Sequence, residues 1–237
     1  RNTLRRGHRG RTELVLHIVG KSVHASVRQN GINPLDTLAR FILGVEMLDF
    51  PLDDTLGSSS VGVTLLWTDQ SSPNVTPGEL WQTLDWRSVP SESADDVVAA
   101  LQGVADAAVT RGATAEVTIP IHPRRTYTGR QMDIPGSHPA YALAADHPAV
   151  VASGEILERA TGRSGESGVW MFATDGSHFA EVGMVPVGIG PGDEFLAHTN
   201  REHIEISQLE EALDINEALA RRLATRATEL GFAPVER

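Results

Sequence analysis

Residues 12–20, Thr-Glu-Leu-Val-Leu-His-Ile-Val-Gly, alternate in part between polar and apolar and are rich in β-formers, which predicts a strand ending at a glycine. A polar loop, 21–32, follows. Asn33 offers an N-cap and Pro34 a first helical position, ahead of Leu35, Leu38, Ile42, Val45 and Leu48 at helical spacing. That pattern predicts a helix with one buried face. After the turn-rich stretch 51–60 come two further strands, 61–69 and 80–89. The segments Ser71-Ser72-Pro73-Asn74 and Pro77-Gly78 between them make the pair a hairpin or near-hairpin. A second helix begins at Ser93 and turns Val97, Val98, Leu101, Val104 and Ala108 inward, and 115–121 is a fourth strand. The order βαββαβ is that of the split βαβ, ferredoxin-like sandwich, with two helices on one face of a four-stranded antiparallel sheet. The opposite face or an edge is then free for a partner.

Residues 122–137 are polar and punctuated by Pro123, Gly129, Pro135 and Gly136, which predicts a domain boundary. The expected division is a lead-in over 1–10, the βαββαβ unit over 11–121 and a further part over 122–237. In that last part, 139–160 read as mostly helical and 185–189 as a short buried strand. Ser207 and Glu210 read as a capping box opening a final helix, whose apolar stripe of Leu209, Leu213, Leu223 and Leu230 carries it to about residue 230.

Charge and composition narrow the function classes. With 20 basic against 31 acidic residues the formal net charge is −11, which disfavours a phosphate-tracking surface, so nucleic acid is not an expected partner. The basic run Arg5-Arg6-Gly7-His8-Arg9-Gly10-Arg11 reads against that total as a solvated linker. No apolar run approaches the roughly 20 residues of a membrane helix, and no apolar stretch of signal-peptide type follows the basic amino terminus. The expectation is a cytoplasmic protein without a membrane partner. Cysteine is absent, which excludes disulfides, thiolate zinc sites and cysteine nucleophiles and leaves His, Asp and Glu as candidate ligands. A start at Arg1 instead of Met suggests a fragment.

Most of the nine histidines have bland readings. His17 lies mid-strand, and His122, His138 and His147 each precede a proline, a context typical of turns. His24 differs: it sits in Ser22-Val23-His24-Ala25-Ser26 after the first strand, flanked by small residues that allow a ligand close approach. His198 lies in the glycine-rich loop 190–200, after the segment 185–189. An imidazole there, with carboxylates nearby, suits zinc, and the alternative is a solvated loop histidine. Asn74 and Arg87 flank the central hairpin. A guanidinium and an amide can together hold a carboxylate, whereas an Asp85–Arg87 pair on one strand face is the structural alternative. The turn Thr174-Asp175-Gly176-Ser177 offers backbone amides to an anion, or is only a turn.

Taken in order, several segments resemble one family: Gly10-Arg11, Ser22-Val23-His24-Ala25-Ser26, Gly31-Ile32-Asn33-Pro34, Pro73-Asn74-Val75-Thr76-Pro77, Asp85-Trp86-Arg87, Thr174-Asp175-Gly176 and the loop from Gly190 to His198. It is the zinc-dependent metallopeptidase and amidohydrolase family of succinyl-diaminopimelate desuccinylase, acetylornithine deacetylase, aminoacylase and glutamate carboxypeptidase. The resemblance implies an α/β protein, with an α+β lid at 11–121 that mediates homodimerisation and a C-terminal part of a catalytic domain at 122–237. It implies two zinc ions per complete site, cobalt or manganese being substitutes, and a small-molecule or peptide substrate with a free carboxylate. His24 would reach across a dimer interface to polarise the scissile carbonyl, Asn74, Arg87 and Gly176 would bind substrate, and His198 would ligate the second metal. The family's His-x-Asp strand motif is absent. Its Glu-Glu pair is represented only by Glu210-Glu211 in the first turn of the last helix, where capping and dipole account for it. The resemblance therefore implies a metal-dependent hydrolase of N-acyl amino acids or small peptides, of which this chain lacks most ligands. The alternative is a non-catalytic dimerisation and substrate-recognition module.

Overall fold

The computed structural model describes residues 2–110, 112–225 and 230, and the chain divides into two compact units, Gly10–Pro139 and Arg1–Arg9 with Ala140–Arg237. The first strand, β1 (Leu4–His8), belongs to the second of these. The basic lead-in is thus no solvated linker. Leu4 and His8 are both buried, because this strand has a pairing partner on each side.

In the Gly10–Pro139 unit, β2 (Arg11–Val19) leads through a 3-10 turn (Ala25–Asn30) to α1 (Pro34–Val45), with Asn33 capping the Leu35 amide and Pro34 in the first turn. The ribbon of β3 (Leu52–Asp53) and β4 (Gly57–Ser58) precedes β5 (Ser60–Thr68) and β6 (Glu79–Arg87). Next come α2 (Ala94–Ala108) and β7 (Thr114–Thr118). All strand pairs are antiparallel, and the order β7-β2-β6-β5 is that of the ferredoxin-like sandwich.

Strict alternation in two central strands drives this arrangement. Leu14, Leu16 and Ile18 of β2 and Leu80, Leu84 and Trp86 of β6 face inward against Leu38, Phe41, Val97, Leu101 and Ala105 of the helices. Each such aliphatic burial contributes about 1.5–3 kcal/mol. Gln82 is also inward, and its amide donates to the Leu65 carbonyl that a bulge in β5 frees from the ladder. The helices leave β5 uncovered, so Val63, Leu65, Leu66 and Trp67 are exposed along an unpaired edge.

Residues 121–135 differ from the loop that composition predicts. They form a hairpin of β8 (Ile121–Arg125) and β9 (Gln131–Pro135), closed by the Thr126 and Arg130 backbone and by Gly129 at φ 87°. Nearly all of its residues are exposed. With no packed face there was no one-sided pattern to read. The short β10 (Ser137–His138) then returns to pair with Arg11 and Thr12 of β2, which keeps the whole segment with this unit.

In the other unit, β1 is central. It pairs antiparallel with β11 (Tyr141–Ala142) and parallel with β12 (Ser167–Trp170). Over it pack α3 (Pro148–Thr161), capped by His147, and α5 (Ile206–Thr225), while α4 (Gly176–Glu181) is a single short turn of helix between them in sequence. Leu4, Val150, Ile156, Leu157, Ile215 and Leu219 form the core. Gly154 and Gly165 let α3 and the following loop touch backbone to backbone, since a Cβ at Gly165 would lie 2.2 Å from the Gly154 oxygen.

The structure departs from the sequence pattern at three places in this unit. Helix begins at Pro148, after a β bridge, instead of near 139, because His147-Pro148 supplies the cap and first position. Residues 185–189 form no strand and are only half-buried. Pro186 lacks a donor, and a single bridge between Gly188 and Arg5 remains. Ser207 lies inside α5, which starts at Ile206, and the buried stripe is Ala212, Ile215 and Leu219, while Leu209 and Leu213 are exposed. The predicted extension to residue 230 crosses 226–229, outside the described residues.

Candidate functional site

Antiparallel pairing of β2 with β6 puts Val19 opposite Glu79, so the loop leaving β2 and the loop entering β6 run side by side. Backbone and hydroxyl bonds join them. The Thr76 amide donates to the Val23 carbonyl, the Val23 amide donates to Thr76 Oγ1, and the Ala25 amide donates to the Asn74 carbonyl. His24 and Val75 form an isolated bridge. The sheet thereby brings together His24 and Asn74, 50 residues apart in sequence, with His24 Nε2 and Asn74 Nδ2 separated by 3.4 Å and both side chains exposed. Ser26 and Ser72 flank the pair. Ser26 donates through its backbone amide to His24 Nδ1 at 3.2 Å and lies with Oγ 2.7 Å from the same atom, and the Ser72 hydroxyl donates to Asn74 Oδ1. Neither serine was singled out from the sequence, where they are two among many in polar loops.

Arg87 stands at the other end of β6. Eight residue steps of strand separate Glu79 from Arg87, about 26 Å, so Asn74 and Arg87 of one chain do not face a common ligand. The guanidinium of Arg87 binds Asp85, and Asp85 also accepts from Arg11 Nε at 2.7 Å. This is the same-face strand pair, enlarged by a second arginine. The bland readings of other histidines also have partners: His17 stacks on Trp81 and meets Glu79 at 2.8 Å, and His122 meets Glu13 at 3.3 Å.

In the other unit, the Gly176 amide is taken by Thr174 Oγ1 at 3.1 Å, and a Cβ at Gly176 would lie 2.8 Å from the Tyr141 hydroxyl. What requires glycine here is therefore the close approach of Tyr141, whose phenol is pushed above its usual ionisation range by burial. Buried His8 holds the same turn: the Thr174 amide donates to His8 Nε2 at 3.1 Å, and the ring packs edge-on to Tyr141.

His198 is exposed and has a left-handed backbone, φ 63°, a strained setting for a residue with a side chain. Its amide donates to the Glu202 carboxylate, which ties that acid to the loop backbone. Asp193 caps the short turn Glu194–Leu196, and Glu194 pairs with Arg5 at 2.9 Å. Glu211 is engaged by Arg163. Among the described residues no three His, Asp or Glu side chains converge as metal ligands. A catalytic zinc site needs about three protein ligands. The described residues do not by themselves fit a metal centre.

Residues 6–113 match the model of the peptidase dimerisation domain. Over that segment the chain is similar to this family. The curated relative YgeY of Escherichia coli (strain K12), an uncharacterised protein, is 27% identical over 203 residues, covering 83% of this chain and 49% of its own length. The chain thus spans about half the length of the curated relatives it matches. Among solved structures, a tripeptidase from Staphylococcus aureus is similar over 92% of this chain and 54% of its own, with TM-score 0.67 and 20% identity. The aminopeptidase PepT from Bacillus cereus is similar over 94% and 54%, with TM-score 0.68 and 17% identity. At these identities the structural likeness concerns the fold alone, an α+β arrangement. Among the described residues no helix is long and apolar enough to cross a membrane.

Proposed function

We propose that the protein carrying this chain is a metal-dependent hydrolase of an amide bond in N-acyl amino acids or small peptides with a free carboxylate. The observation that carries the reading is the convergence of His24 and Asn74 on one exposed point of a peptidase dimerisation domain. There an imidazole N–H can polarise a carbonyl and stabilise the oxygen anion that develops on it. Peptidase neighbours with the same fold support the reaction class. Because Asn74 and Arg87 lie at opposite ends of β6, a carboxylate or carbonyl bound by both would be held by residues of two subunits.

A homodimer formed through the dimerisation domain supplies the second subunit, and the uncovered β5 edge, with Leu65, Leu66 and Trp67 exposed, is the surface we assign to it. His198 is proposed as one zinc ligand whose companions are not among the described residues of this chain, and Gly176 as a lining position of the substrate site. Cobalt or manganese are the substitute metals, and the cytoplasm is the proposed compartment. The test is a full-length protein supplied with zinc or cobalt and a broad panel of N-acyl amino acids and dipeptides. Hydrolysis of none of them would defeat the assignment.

One observation favours a second reading for the chain taken alone. With no convergent ligand trio among its described residues, it acts as a dimerisation and substrate-recognition module. Elemental analysis of the 237-residue chain decides: two tightly held metal ions per chain would exclude the module, and none would support it.

A further inference from the structure

We propose that Ser26 and Ser72 are positioning residues that hold His24 and Asn74 as two parallel donors aimed at a single acceptor oxygen. The proposal rests on the reading of His24 as the group that polarises the scissile carbonyl, and it adds what fixes the ring and amide for that task.

One donor at this site has no alternative role. A backbone N–H can only donate, and that of Ser26 points at His24 Nδ1 from 3.2 Å. Nδ1 must then present its lone pair, so the Ser26 hydroxyl at 2.7 Å donates to it as well. A neutral imidazole whose Nδ1 accepts carries its proton on Nε2. That nitrogen faces Asn74 Nδ2 at 3.4 Å, and an amide nitrogen is also only a donor. The two groups therefore cannot bond to each other. Both N–H vectors remain available on an exposed surface.

Ser72 holds the amide in place. Its hydroxyl donates to Asn74 Oδ1, which holds that oxygen away from the ring and leaves Nδ2 beside Nε2. With the amide reversed, Oδ1 would accept the Nε2 proton and silence the donor. Two nitrogens 3.4 Å apart can each reach one shared oxygen at about 2.9 Å, the spacing of a two-donor oxyanion site. Asn74 is thereby assigned to the carbonyl oxygen together with His24, not to a carboxylate held jointly with Arg87.

The experiment has two readouts. In the 237-residue chain labelled with 15N-histidine, at a pH above imidazole ionisation, two-bond 1H–15N correlations should show His24 protonated on Nε2. Ser26→Ala keeps the backbone N–H that fixes the proton and loses only the hydroxyl that orients the ring, so it should leave His24 protonated on Nε2. A wild-type ring protonated on Nδ1, or a Ser26→Ala ring that gains the Nδ1–H form, overturns the proposal. In full-length protein with zinc, Ser26→Ala and Ser72→Ala should each lower kcat on N-acetyl-L-amino acids about fivefold to tenfold, the effect of losing one orienting hydrogen bond. KM should stay within about twofold, and Ser26→Thr should recover the rate. If kcat falls in neither variant while His24→Ala lowers it about a hundredfold, the positioning role of the serines falls; if His24→Ala leaves kcat unchanged, the carbonyl-polarising reading of His24 itself falls.

Discussion

Replacing Leu65 by lysine tests whether the uncovered edge of the sheet is where two copies meet. Leu65 is 69% exposed in the single chain. Fully burying a leucine contributes about 2 kcal/mol, so covering the remaining surface is worth about 1.4 kcal/mol per copy. A two-fold contact uses the same residue twice, giving about 3 kcal/mol, or roughly a hundredfold in dissociation constant. Lysine adds repulsion between like charges facing each other across the axis. The fold itself should not suffer, because the leucine side chain points to solvent and the bulge is held by Gln82 and Thr83. Sedimentation velocity over a dilution series should show Leu65→Lys dissociating at about a hundredfold higher concentration than wild type, with an unchanged melting temperature. Tyr127→Lys, on the fully exposed hairpin tip, is the control and should leave assembly intact. A Leu65→Lys dimer as tight as wild type, or a Tyr127→Lys dimer equally weakened, would refute the assignment of the edge.

Three other outcomes follow from particular contacts. The Asp96 carboxylate is held below its ordinary value of 3.8 by the Ser93 hydroxyl and then by the Ser93 backbone amide. Its contribution is thus present above pH 3.8 and lost as pH falls through the lower folded value, so Asp96→Asn should flatten the acid limb of a melting-temperature profile. Gly165→Ala places a Cβ 2.2 Å from a backbone oxygen that cannot rotate away. It should cost about 1–3 kcal/mol in urea unfolding, and an unshifted midpoint would contradict the packing described for α3. In full-length protein, His198→Ala should release one of two bound metal ions, as read by elemental analysis; full retention would remove His198 from the proposed ligand set.

Much of the first unit was legible because its signals are local. Leu14, Leu16 and Ile18 at every second position, Asn33-Pro34 and Ser93 at helix starts, and the spacing of Val97 and Leu101 each reflect burial on one side of an element. Where an element has no packed side, as in the hairpin of β8 and β9, composition reads as loop although the backbone is paired. The stripe on α5 failed for a related reason. Leu209 and Leu213 are as apolar as Ile215 and Leu219, and only the position of α3 selects which pair is covered. The basic run before Gly10 gave a similar lesson, since β1 is buried by β11 and β12, which lie more than 130 residues later in sequence.

For the site, the sequence determined the residue types and nominated His24, Asn74, Arg87, Gly176 and His198 one at a time. Tertiary structure decided who stands beside whom. Antiparallel pairing of β2 with β6 closes two loops against each other, so His24 meets Asn74, while the length of β6 carries Arg87 to the far end with Asp85 and Arg11. The proton on His24 is settled the same way, by a Ser26 amide whose direction is fixed only once the chain has turned after β2. Periodicity records which side of an element is buried, whereas proximity between loops is a property of strand pairing, and no stretch of sequence contains it.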